Sequence, residues 1–249
     1  MLCVSGSLWF LSLCYGSETL HSAMCCDACF NLGLSESVRL IAHLYSLRNP
    51  ANIAGQARFG IASKAEQLGI ATPVLRDLAR SHRRNHPLAL ELWASGIHDA
   101  RVLATLVENP KQITRGQMEQ WVRASDNWAL TDALAFLFDR TEFAEEKALT
   151  WSGRKGEFVK RAGFATMAGL AIHRKELPDE VFLRFLPVIA REATDERNFV
   201  KKAVNWALRQ IGKRNLVLRR AAIAEAQRIG KLDSRAARWI AADALRELV

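Results

Sequence analysis

No cysteine follows position 29, so no disulfide framework supports the rest of the chain, and the composition suits a reducing cytoplasm. Long apolar runs are missing too. The apolar stretch Leu8 to Cys14 is far too short to span a bilayer, and no membrane partner is expected. No Lys or Arg precedes that stretch and no small-x-small cleavage site follows it, which argues against a signal peptide. There is no glycine-rich phosphate loop and no GxSxG nucleophile elbow. His82 and His86 stand four apart, but Pro87 follows, the HExxH glutamate is missing and no third ligand is near. Neither a metal nor a cofactor is expected. Runs of alternating β-branched residues are scarce. Acidic residues are absent from one long window, Arg197 to Arg220.

What is present describes a folded, basic protein. Hydrophobic residues make up 49% of the 249 and charged residues 24%, enough apolar content to bury a core and too much for intrinsic disorder. Lys and Arg number 35 against 26 Asp and Glu, a net +9, which points to a polyanionic partner. The charge is unevenly placed. Residues 1–46 carry −2, whereas the remainder carries +11. All five cysteines lie in the first 29 residues, where Cys26 and Cys29 form a CxxC pair with no second pair to complete a tetrahedral zinc site. Residues 1–35 are therefore expected to be a disordered N-terminal extension, with a targeting peptide as the second reading and Met24 as an alternative start. Residues 36–249 are expected to form a single domain.

From about Ser35 onward, apolar residues recur every three or four positions, the helical period. Breaks at Asn49-Pro50, Thr72-Pro73, His86-Pro87, Asn109-Pro110, Leu177-Pro178 and Asp233-Ser234 separate segments of about 10–20 residues. The expectation is an all-α protein of about ten to twelve helices. Phe158-Val159-Lys160-Arg161-Ala162 is echoed by Phe199-Val200-Lys201-Lys202-Ala203, 41 residues on. That period falls among the HEAT and armadillo repeats, predicting an α-solenoid of stacked helical pairs whose concave face is basic.

Two helices carry aromatic and charged side chains away from the core. In the first, Leu130, Ala133, Leu134 and Leu137 make the apolar stripe, with Ser125 or Asp126 as the expected N-cap. Trp128 and Asp132, four apart, share the opposite face. In the second, Val200, Val204, Ala207, Leu208 and Ile211 face inward, leaving Lys202, Trp206, Arg209 and Lys213 together on the other side. Each pattern has a plain reading as a solvated face, or as a Trp covering a joint between repeats. Cations interleaved with an aromatic, in a window of eight basic residues and no acidic one, also suit a nucleic-acid backbone with its sugars and bases. His98 and His173 stand alone and read as surface or packing residues.

These stretches resemble the HEAT-like-repeat DNA alkylation repair family, the AlkD-type alkylpurine DNA glycosylases. Gly69-Ile70-Ala71-Thr72-Pro73-Val74-Leu75-Arg76 is similar to that family's GIxTPxxR segment. Asn127 to Asp132 resembles its W-x-x-x-D helix, and Phe199 to Lys213 its F-[IV]-[RK]-K-A-[IV]-x-W-x-L-R signature. Phe158 to Arg161 sits where the family has an aromatic-apolar-basic-Arg stretch. The resemblance covers about residues 36–249. It implies that Trp128, Asp132 and Trp206 line a catalytic cleft and that Arg161 and Arg209 hold phosphates. Lys202 and Lys213, on the same helix face as Arg209, are further DNA-binding candidates. The implied substrate is double-stranded DNA carrying cationic N3- or N7-alkylated purines, excised by a cytoplasmic monomer without extruding the base. A non-catalytic module that binds DNA structure, and a protein-binding scaffold, are the alternatives.

Overall fold

A computed structural model describes residues 35–249, so the expectations for residues 1–34, including the CxxC pair, lie outside the described residues. Thirteen α-helices and one 3-10 turn make up the described chain, with no strand. They are α1 (Glu36–Ser46), α2 (Pro50–Arg58), α3 (Thr72–Ala79), α4 (His86–Ala94), α5 (His98–Val107), α6 (Arg115–Ala124) and α7 (Trp128–Phe138). The second half holds α8 (Ala144–Ser152), α9 (Glu157–His173), α10 (Asp179–Glu192), α11 (Asn198–Gly212), α12 (Leu216–Ile229) and α13 (Arg235–Leu248). The number exceeds the ten to twelve expected because several helices, α2, α3, α4 and α8, have only eight or nine residues.

Prolines open helices here more than they end them. Pro50, Pro73 and Pro87 occupy first-turn positions, where the missing N–H has no intrahelical acceptor anyway. Asn49, Asn85, Asn127 and Asn215 each turn a side-chain oxygen onto a free first-turn N–H, as do Ser35, Thr114 and Ser234. Pro187 lies inside α10 without ending it.

The helices stack in two rows. One row runs α3, α5, α7, α9, α11, α13, each packed on the next, while α8, α10 and α12 form a second row behind it. The repeated five-residue stretch explains the stacking. Phe158 and Phe199 occupy the same place, one residue into α9 and α11, and their rings lie 5.8 Å apart. Between the rows the core is apolar: Leu130 and Leu134 of α7, Phe164 and Met167 of α9, and Val200, Val204, Leu208 and Ile211 of α11 are all buried. Toward the N-terminal end, Trp93 and Trp121 stack 4.2 Å apart with parallel planes.

Candidate nucleic-acid interface

The first row leaves an open face on which α7, α9 and α11 lie side by side. A cleft of about 640 Å³ opens where these helices begin, lined by Trp128, Arg161, Asn198, Phe199 and Lys202 together with Ala57 to Gly60 at the end of α2. Trp128 is placed by its helix start. The Asn127 side-chain oxygen accepts from the N–H groups of Ala129 and Leu130, both at 3.1 Å, so the N-cap is Asn127 rather than Ser125 or Asp126. Those two are otherwise engaged. The Ser125 hydroxyl lies 2.7 Å from that of Thr131, and Asp126 accepts from the Ser63 hydroxyl and the Lys64 N–H.

Asp126 is thus one of three ties on the loop between α2 and α3. Buried Asp99 of α5 accepts from the N–H groups of Leu68 and Ile70 at 2.7 and 2.8 Å. The Trp128 indole N–H donates to the Phe59 carbonyl at 2.8 Å. The GIxTPxxR stretch serves this loop. Gly69 adopts a positive φ against the backbone of Asn49, Ile70 meets Asp99, and Thr72-Pro73 starts α3. Arg58, the last residue of α2, and Phe59, the first of this loop, line the cleft and were missed by sequence reasoning because no motif marks them.

Asp132 lies one turn beyond Trp128. Arg161 of α9 grips its carboxylate with both arms, Nε to Oδ1 at 2.9 Å and Nη2 to Oδ2 at 2.7 Å, and its Nη1 donates to the Phe199 carbonyl at 2.7 Å. The side chains are 19% and 8% exposed respectively. The pair therefore links the starts of α7, α9 and α11. Burial pushes the Asp132 carboxyl above the usual aspartate value, and the charge and hydrogen bonds of Arg161 pull it back. Arg161 also sits 5.8 Å from the centre of the Trp128 ring. Three of its five N–H groups are used within the protein.

Trp206 lies one turn beyond Lys202 on α11 and meets Phe136 of α7 edge to face at 5.6 Å, across α9. Phe136 in turn meets His173 edge to face at 5.0 Å. The His173 ring is fixed by fully buried Asp139, 2.5 Å from its Nδ1, so this histidine has a buried carboxyl partner. His98 is buried. His82 and His86 separate, each against its own glutamate, Glu36 and Glu108. Among the described residues, no group of three or more potential metal ligands comes together.

The basic window of α11 proves less free than its composition suggests. Arg209 and Lys213 both pair with Glu247 of α13, with Asp243 a further 3.7 Å neighbour of Arg209. Arg214 donates to the carbonyls of Ala171, Arg174, Lys175 and Leu177 at the end of α9 and lies over the Phe182 ring. Arg197 pairs with Asp195. Lys202 is exposed, lines the cleft and makes no ion pair among the described residues. The acid-free stretch is balanced by acids that lie elsewhere in the chain.

Fold and face together define an all-helical HEAT-like repeat protein with an aromatic-lined, cationic cleft. The chain belongs to the DNA alkylation repair enzyme family, whose profile matches residues 40–248. Its relatives include an uncharacterised protein of Listeria innocua, 26% identical over 198 residues, which is 78% of this chain and 86% of that protein. An uncharacterised protein of Listeria monocytogenes is 28% identical over 130 residues, 51% of this chain and 58% of its own length. Among solved structures, the fold matches a member of a new family of proteins related to the HEAT-like repeat DNA glycosylases with affinity for branched DNA structures. That match has a TM-score of 0.72 at 20% identity and covers 86% of this chain and 96% of the other. No described helix is long and apolar enough to cross a membrane.

Proposed function

We propose that this protein is a DNA glycosylase that hydrolyses the N-glycosidic bond of cationic N3- or N7-alkylated purines in duplex DNA. The observation that carries the reading is the Asp132 carboxylate, oriented through both oxygens by Arg161 one helical turn from Trp128. An alkylated purine is already positively charged. As its bond to C1′ breaks, the electron pair goes to the base, which leaves neutral without a general acid, and positive charge develops on the deoxyribose. A fixed carboxylate stabilises that charge and accepts the proton of the water that attacks C1′. A carboxyl raised by burial is the better base for this step. The products are an abasic site and a neutral alkylpurine.

The aromatic faces of Trp128 and Trp206 suit the sugar and add cation–π attraction of roughly 0.5–2 kcal/mol each. Lys202 and the two N–H groups that Arg161 has left would hold phosphates. Arg209 and Lys213 would do so after exchanging Glu247 for DNA. The enzyme would act as a cytoplasmic monomer on double-stranded DNA, without metal or cofactor and without extruding the base.

Release of 7-methylguanine from methylated duplex tests the reading. Wild type should release the base, and Asp132→Asn should retain DNA binding while losing about 100-fold or more in rate. Equal release by both proteins sinks the assignment. One observation favours a second reading, a non-catalytic module that binds DNA structure. The Arg161 bracket joins α7 to α9 and to the α11 backbone, which is a sufficient structural reason for Asp132. Tight gel shifts on junction DNA with no base release by wild type would select that reading.

A further inference from the structure

We infer that Phe59 is a stacking wedge that takes up the exposed face of an unstacked or unpaired nucleobase at the mouth of the cleft. The inference rests on the DNA-binding reading and adds a structural preference to it. Phe59 follows the last residue of α2, lines the cleft and is 74% exposed. A single exposed phenyl is ordinary on a protein surface and by itself carries nothing. What sets this one apart is how firmly its backbone is held.

Its carbonyl accepts the Trp128 indole N–H, which ties it to the cleft wall itself. The next residue, Gly60, has φ +74°, and a Cβ there would come within 2.6 Å of the Phe199 ring, so only glycine lets the loop approach this closely. Further along, the Asp126 carboxylate holds Ser63 and Lys64, and Asp99 holds Leu68 and Ile70. The loop is fastened by three side chains, Trp128, Asp126 and Asp99, while the ring at its start stays in water.

The surroundings name the ligand. Arg58, Arg161 and Lys202 share the cleft with Phe59 and place cations around an apolar face. A phosphate chain bearing flat bases satisfies both parts, with cations on the backbone and the ring on a base face. An apolar or acidic peptide would leave one part unused. In continuous duplex every base face is covered by its neighbours, so a ring at this position gains most where a base is unpaired or a step is opened.

The test compares the full chain's affinity for a continuous synthetic duplex and for the same duplex carrying one unpaired adenine. Wild type should prefer the second by about ten-fold, the order expected from one base–aromatic stack. Phe59→Ala should bring the ratio close to one and Phe59→Trp should restore it. Both variants keep the backbone carbonyl that Trp128 needs. The inference falls if wild type shows no preference or if Phe59→Ala leaves the ratio unchanged. Failure of wild type to bind either DNA would instead remove the DNA-binding reading beneath it. Replacing the unpaired adenine with 2-aminopurine gives a second readout. Its fluorescence should change on binding wild type, and the same change with Phe59→Ala would overturn the proposal.

Discussion

The α7–α9 pair and the α11–α13 pair show the same design in sequence and differ in three dimensions. Each has a Trp on the face away from the core, with a charged side chain three or four residues later: Trp128 with Asp132, Trp206 with Arg209. In the first pair the partner is Arg161, nearly buried, which grips the carboxylate with two arms and a backbone carbonyl with a third bond. In the second pair the partners are Glu247 and Asp243, single carboxylates on a partly exposed helix edge. A charge pair taken out of water is costly to break, because removing one member strands the other. A pair left in water is cheap to open. On the proposed function, the first pair would hold the catalytic carboxylate still, and the second would give up its cations to a phosphate backbone.

The largest effect should come from breaking the buried pair. Arg161→Ala leaves Asp132 without a counter-charge and should cost about 3 kcal/mol of unfolding free energy, read from urea midpoints. Asp132→Ala in the same chain should recover part of that loss. Strict additivity of the two would show that the pair acts as two independent groups.

A smaller effect is expected at the entrance to α11. There Asp195 accepts from Arg197 and Lys160, whose hydrogen bonds hold its carboxyl at about 2, against an ordinary 3.8. A depressed carboxyl stabilises the fold above its unfolded value and loses that contribution as the pH falls through the folded value. Partial exposure reduces the full linkage figure, leaving about 1–2 kcal/mol. Asp195→Asn should thus be less stable than wild type at pH 6, and the gap should close between pH 4 and pH 2. A gap that persists at pH 2 would assign the effect to packing.

The smallest change in stability should follow Glu247→Gln, under about 1 kcal/mol, because this ion pair is partly solvated. Its effect should appear in binding instead. Freed of Glu247, Arg209 and Lys213 should bind duplex DNA several-fold more tightly, with a steeper dependence on salt. Unchanged affinity would mean that these two cations do not reach the DNA, and the contrast between the two helix pairs would lose its functional half.

Periodicity and repetition carried the fold a long way. The apolar stripe of α11, from Val200 to Ile211, is buried as its spacing demands. The echo of Phe158 to Ala162 at Phe199 to Ala203 falls at matching places in adjacent helices of one row. Trp128 and Asp132 share a face because four residues make about one helical turn. The helix start was placed less well. Asn127, Ser125 and Asp126 all have the chemistry of an N-cap; Asp126 is taken by Ser63 and Lys64, far away in sequence, and Ser125 by Thr131, which leaves Asn127 to serve. Phe59 left no trace in any pattern, since a loop residue has no period to betray it.

The sequence by itself determined the helical class, the stacking period and which helix faces point away from the core, because each depends on spacing within a short stretch of chain. Only the tertiary structure decided what the charges do. Asp132 meets an arginine 29 residues on, and the acid-free window of α11 finds its acids in α13, 34 and 38 residues away. Coulomb attraction depends on distance through space and on water between the groups, and neither is written in the order of residues.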